Sequence, residues 1–134
     1  MSTIIDHAII ETLVRAAFYL LGYIIAVPFG SWLVAYVLSK LQLTQEQKNT
    51  IAGIKGAGQI IGIIERTLTV TFIYTNAPTA IALVFAAKSI IRFEQAKDRP
   101  FAEYYLIGTM TSITIATLTA ILTAHLAQNF TLPT

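Results

Sequence analysis

"QIIGIIERTLTV", residues 59–70, decides how the rest of the chain is read. Its flanks are apolar enough for a helix in lipid, yet Glu65 and Arg66 stand side by side near its centre. In an ordinary soluble domain such a pair marks a wet helix face. Here the surroundings argue otherwise, because the 134-residue chain is 55% hydrophobic and only 12% charged, with a mean hydropathy of +0.68. A typical soluble domain carries about 25% charged residues, and a fold this short struggles to hide so much apolar surface from water. The composition predicts an all-α integral membrane bundle of four transmembrane helices, one polytopic domain over residues 1–134, with the lipid bilayer as its solvent.

Several function classes drop out. The net charge of +2 is scattered, with no Lys/Arg run to track phosphates, so no nucleic-acid partner is expected. The absence of cysteine removes disulfides, thiolate nucleophiles and Fe–S ligation. No glycine-rich phosphate loop, nucleophile elbow or zinc spacing occurs, and His7 and His125 are widely separated and make a poor metal site. Lys88 and Ser89 are consecutive, so one helix cannot turn them toward each other as a dyad. The chain reads as a non-enzyme with no catalytic residue, metal or cofactor. The leading "MSTIIDHAIIETLVR" lacks the basic start and small-residue cleavage site of a signal peptide, so the first span is expected to direct its own insertion.

The spans are placed at about 16–38, 52–74, 78–95 and 103–127. Pro28 should kink the first, with Gly30 easing the bend. Residues 3–15 have an apolar face and read as an interfacial segment or an extension of that helix; Glu11 and Arg15 lie one turn apart there. Thr44 and Gln47 have capping-box spacing, and "TNAP", 75–78, reads as a tight turn into the third span. Lys40, Lys48, Lys55, Arg92, Lys97 and Arg99 then fall on one side of the bilayer. The positive-inside rule makes that side cytoplasmic, which puts both termini on the non-cytoplasmic side of the cell membrane.

The hairpin answers why charges sit at the centre of an apolar stretch. Glu65 and Lys88 are equally distant from the midpoint of Asn76 and Ala77. Antiparallel helices bring such residues to one depth, roughly 15 Å below the surface and about the bilayer midplane. Glu65 and Lys88 are expected to pair. Arg66 points about 100° away and needs another partner: a carboxylate on another span, carbonyls freed by Pro28, a lipid phosphate or a second subunit. Leaving it alone at mid-bilayer costs at least about 3 kcal/mol. The cluster of Glu65, Arg66, Lys88 and Ser89 is either a structural clasp between helices or an ion or substrate site.

Small residues supply the packing. Gly108, Ser112, Ala116, Ala120 and Ala124 repeat at every fourth position of the last span; Gly58 and Gly62 form a GxxxG; Gly22, Ala26 and Gly30 share the spacing. These faces suit a tight bundle, or a subunit interface. The hydroxyls of the last span ring its circumference and are expected to bond their own backbone.

"IGIIERTL" at 61–68, "AAKSIIRF" at 86–93 and "EYYLIGT" at 103–109 resemble, in that order, the C-terminal membrane region of an uncharacterised prokaryotic family, domain of unknown function 3307. The likeness covers roughly residues 56–115 and maps onto Glu65, Arg66, Lys88, Ser89, Arg92, Glu103 and Tyr104. The family's longer N-terminal portion is not recognisable, so no activity is carried over. The resemblance implies that the ionic residues act as a unit. It also groups Arg92, Glu103 and Tyr104 as a cytoplasmic-side polar cluster, in which Glu103 at a helix start would reach toward Arg92.

Two functions are expected from these features. One is a non-catalytic membrane subunit or scaffold, a homo-oligomer or part of a larger membrane complex. The alternative is a small channel or transporter using the Glu/Arg/Lys cluster for anion or proton handling.

Overall fold

A computed structural model of the chain describes residues 2–51, 54, 56–93 and 97–130. Lys55 and residues 94–96 of the "EQAKDRP" loop lie outside the described residues. Within them the chain is all helical: α1 (Ser2–Ser39), α2 (Gln45–Ile51), α3 (Ala57–Tyr74), α4 (Thr79–Ile91) and α5 (Arg99–Asn129), with no strand among the described residues.

Residues 3–15 are not a separate segment. They continue α1, a 38-residue helix that runs unbroken through Pro28. Proline removes a single amide donor, and α1 keeps helical geometry on both sides of the gap, so the expected kink is not a break. Among the described residues two stretches are long and apolar enough to cross a membrane, Asp6–Ser39 and Arg99–Asn129. That is fewer than the four expected from sequence. α3 has 18 residues, but Glu65, Arg66 and its threonines dilute its apolar character. α4 is apolar but only 13 residues long, about 20 Å of helix. It ends at Ile91, short of residue 95.

The local signals are clear in the turns. Thr44 N–H donates to Gln47 Oε1 at 2.8 Å and Gln47 N–H to Thr44 Oγ1 at 3.3 Å, a reciprocal capping box at the start of α2. At the end of α3, Asn76 takes φ +56°. Asn76 N–H donates to the Ile73 carbonyl and Ala77 N–H to that of Phe72. This is a Schellman closure with asparagine in the left-handed position, and Pro78 caps the start of α4. Pro100 occupies the first turn of α5, where its missing N–H costs nothing.

The core is built by α1, α3 and α5. α1 runs antiparallel to α5: Phe18 meets Phe130, the Gly22 position faces Thr123, the Gly30 position faces Ile115, and Leu38 lies against Gly108. α3 supplies large side chains at every fourth position, Arg66, Val70 and Tyr74. α1 and α5 answer with small ones. Tyr74 fits against Gly22 and Thr123, and Arg66 against Gly30 and Ser112. Between these two layers Val70, Ala26, Ala116 and Ala120 are all fully buried. α4 has no buried residue and lies backbone to backbone against α3 alone.

Candidate functional site

The ionic layer is assembled on α3 and divided by helix geometry. Glu65 and Arg66 are both buried, at 7% and 3% exposure, although they are adjacent. Because they diverge by about 100°, Glu65 faces α4 while Arg66 faces the cleft between α1 and α5. Lys88 Nζ reaches both carboxylate oxygens of Glu65 at 2.8 Å. It also lies 5.0 Å from the Tyr105 ring centroid, a cation–π distance. The depth-matched pair of the hairpin is therefore made, with α5 closing over it. Ser89 donates to the Phe85 carbonyl at 2.9 Å and lies beside the Tyr105 hydroxyl, so it stays next to the pair without touching Glu65 or Lys88.

Within the chain, Arg66 meets neither a carboxylate of another helix nor a carbonyl freed by Pro28. Its guanidinium donates to Ser112 Oγ on α5 at 3.1 Å and to Ser31 Oγ on α1. Ser31 in turn donates to the Val27 carbonyl at 2.8 Å. Two hydroxyls on different helices thus hold the charge, and Nε has no hydrogen-bond partner. Ser31 carried no signal in the sequence that set it apart from other serines. What marks it afterwards is its place one residue after Gly30, on the stripe facing Arg66.

The glycines do a different job from the one their spacing suggested. A Cβ on Gly62 would lie 3.2 Å from an Arg66 guanidinium nitrogen, and a Cβ on Gly30 would lie 2.6 Å from Arg66 Cδ. Both positions make room for the arginine side chain. Gly58 has open space where its Cβ would be, so the GxxxG of α3 does not bring two backbones together. Gly108 makes an ordinary contact with Leu38, and Ser112 and Ala116 are buried in the core, as a helix-packing stripe requires.

The second expected cluster does not form as drawn. Glu103 pairs with Arg99, one turn before it, at 2.9 Å, rather than with Arg92. α5 begins at Arg99 and so supplies its own cation on the same face. Arg92 lies over two rings instead, 5.7 Å from the Phe101 centroid and 5.9 Å from that of Tyr105. Those rings stack on each other at 6.1 Å. Tyr104 lines a cavity together with Lys88 and Arg92. The buried Tyr105 hydroxyl lies beside those of Ser89 and Thr109 but makes no well-formed hydrogen bond among the described residues.

At the opposite end the layer is neutral. Tyr74 shares a 2.6 Å hydrogen bond with Thr123, Tyr23 shares one of 2.8 Å with Thr71, and Tyr19 and Tyr23 pack edge-on against Tyr74. His125 lies within 3.0 Å of Asn129 Nδ2. No group of three or more His, Cys, Asp or Glu suited to a metal occurs among the described residues.

No protein-family model, curated protein or solved structure matches the chain. None of these comparisons bears on the resemblance to the uncharacterised family, and the chemistry open to this site follows from its geometry.

Proposed function

We propose that the chain is a small integral membrane protein that serves as a non-catalytic subunit or scaffold, associating with copies of itself or with a larger membrane complex. In this reading α1, α3 and α5 cross the bilayer. α3 runs beside the middle of both long apolar helices and so shares their depth, and the short α4 carries the chain back toward the cytoplasmic side, the fourth passage. The Glu65–Lys88 pair and the Arg66–serine contacts act as clasps that fix how these helices meet. The basic loops face the cytoplasm and both termini face away from it.

The observation that carries the reading is α4. A core of three helices holds a fourth whose residues are at most half-buried. Its outward face presents Leu83, Ile90 and Ile91, the last 83% exposed, beside Ile60 and Ile64 of α3. A conduit has less support, because the fully buried layer of Ala26, Val70, Ala116 and Ala120 lies across the centre of the helix bundle.

The lack of native cysteine permits a clean test. Single cysteines at Leu83 and at Leu21 on α1 are oxidised in native membranes. Leu83→Cys is expected to give a crosslinked dimer or a crosslinked partner band, and Leu21→Cys is not. Monomer alone at Leu83 and at Ile90 would count decisively against association through α4.

A further inference from the structure

On one flank of the ionic layer, the first turns of α3 and α5 and the last turn of α4 surround a cavity of about 230 Å³. We propose that this cavity binds a phosphate group, held by Lys88 and Arg92. The site is separate from the α4 face invoked for association.

Charge is the first argument. Lys88 and Arg92 are one turn apart on α4, so both point to the same side, and both line the cavity. Lys88 is matched by Glu65, whose two oxygens it occupies. Arg92 has no carboxylate partner among the described residues. Its contacts to Phe101 and Tyr105 are to ring faces, which accept none of its five N–H donors. No described acidic residue lines the cavity, so the local charge is positive.

Hydrogen-bonding capacity is the second. The Tyr105 hydroxyl is buried beside those of Ser89 and Thr109 without a well-formed hydrogen bond, and Thr109 itself lines the cavity, so the wall carries hydroxyls with bonding capacity to spare. Tyr104 adds a further hydroxyl-bearing side chain to the wall. The third argument is space and backbone polarity. Gly56 caps α3 with no side chain at φ +84°, leaving the helix start without a side-chain acceptor, and the Gly58 backbone is open to approach. The partial positive charge of a helix start favours an anion there. At about 30 Å³ per water, the cavity admits a tetrahedral oxyanion with water to spare.

A phosphate can come from a lipid headgroup or from solution. The headgroup source rests on the membrane reading. About 20 Å of α4 against about 30 Å of hydrocarbon leaves Arg92 short of the interface, where thinning of the bilayer brings phosphates inward. The solution source does not need that reading.

The full chain in dodecyl maltoside tests both. Native mass spectrometry follows retention of phosphatidylglycerol against phosphatidylcholine, whose choline cancels the phosphate charge. Calorimetry follows inorganic phosphate. Wild type should retain phosphatidylglycerol preferentially, which identifies the headgroup, or bind inorganic phosphate saturably, which identifies the free ion. Arg92→Gln removes a charge that no described side chain needs, and should weaken that binding at least about tenfold. Gly58→Leu fills the space without a backbone clash and should abolish it. Arg99→Gln, at an exposed pair outside the cavity, should change nothing. Wild type binding neither probe, Arg92→Gln or Gly58→Leu binding as wild type does, or Arg99→Gln losing as much as Arg92→Gln, would overturn the proposal. None of these readouts depends on self-association, so this site and the scaffold reading fail separately.

Discussion

Replacing Gly30 by alanine adds one methyl group where α1 meets the arginine of α3. The new Cβ would sit 2.6 Å from Arg66 Cδ and 3.2 Å from both Arg66 Nε and Ile115 Cγ2. Cδ is not a free end. Beyond it the guanidinium is fixed by Ser31 and Ser112, and before it the backbone is fixed in α3. The side chain can yield only by giving up one serine or by pushing α3 away from α1. Overpacking of this kind costs about 1–3 kcal/mol. Alanine recovers about 0.5–1 kcal/mol of helix propensity over glycine. The net expectation is a loss of about 1–2 kcal/mol, read as a lower midpoint in denaturant titration of the micelle-bound protein. The argument is sharper as a double-mutant cycle. With Arg66→Ala already present, the methyl group meets only Ile115, and Gly30→Ala should become neutral or stabilising, a coupling of about 1–3 kcal/mol. Additive effects, or a Gly30→Ala protein more stable than wild type, would refute the claim that this glycine exists to seat the arginine.

Other outcomes follow from the same contacts. Lys88→Met leaves the Glu65 carboxylate buried and unpaired, and should cost about 3–5 kcal/mol. Adding Glu65→Gln should restore most of it, and denaturant midpoints of the three variants settle this. Ser31→Ala and Ser112→Ala each strip one acceptor from a buried charge and should each cost about 1–3 kcal/mol, whereas Ser89→Ala should be nearly silent in the same titration. Arg99→Gln and Glu103→Gln break a pair whose side chains are 89% and 60% exposed and should leave the midpoint unchanged. Thr44→Ala removes half of the capping box and should speed amide exchange in α2 by a factor of a few, without changing exchange in α1 or α5.

The legible parts of this protein were those fixed by spacing along one helix or across one turn. The hairpin centred on Asn76 and Ala77 placed Glu65 and Lys88 at one depth because rise per residue is constant, and the capping box at Thr44 needed only four residues. The last-span stripe of Gly108, Ser112 and Ala116 was likewise a single-helix pattern. What could not be read was which helices would face one another. The partners of Arg66 lie 35 residues before it and 46 after it, and no local rule links those positions. The same gap hid the role of Gly62 inside the chain, since a GxxxG says that backbone is exposed and not that an arginine side chain lies over it. Glu103 was aimed at Arg92 because the start of α5 was set late; beginning the helix at Arg99 hands the carboxylate a nearer cation. The span count erred for a related reason, because hydropathy cannot see that α4 unwinds after 13 residues.

The four-residue pitch shared by Arg66, Val70 and Tyr74 makes the helices interlock like a key and its wards. Sliding α3 by one turn, about 5.4 Å, would carry the guanidinium to the place of Val70, opposite Ala26 and Ala116, where no oxygen waits for it. That misalignment forfeits both serines in a water-poor interior and costs about 3 kcal/mol or more, so fewer than about 1% of molecules visit it. Piston-like travel of α3 is therefore closed to this fold, and α4 is the freer element, joined among the described residues to α3 by the Asn76 turn and the Glu65–Lys88 pair and to α5 through Tyr105.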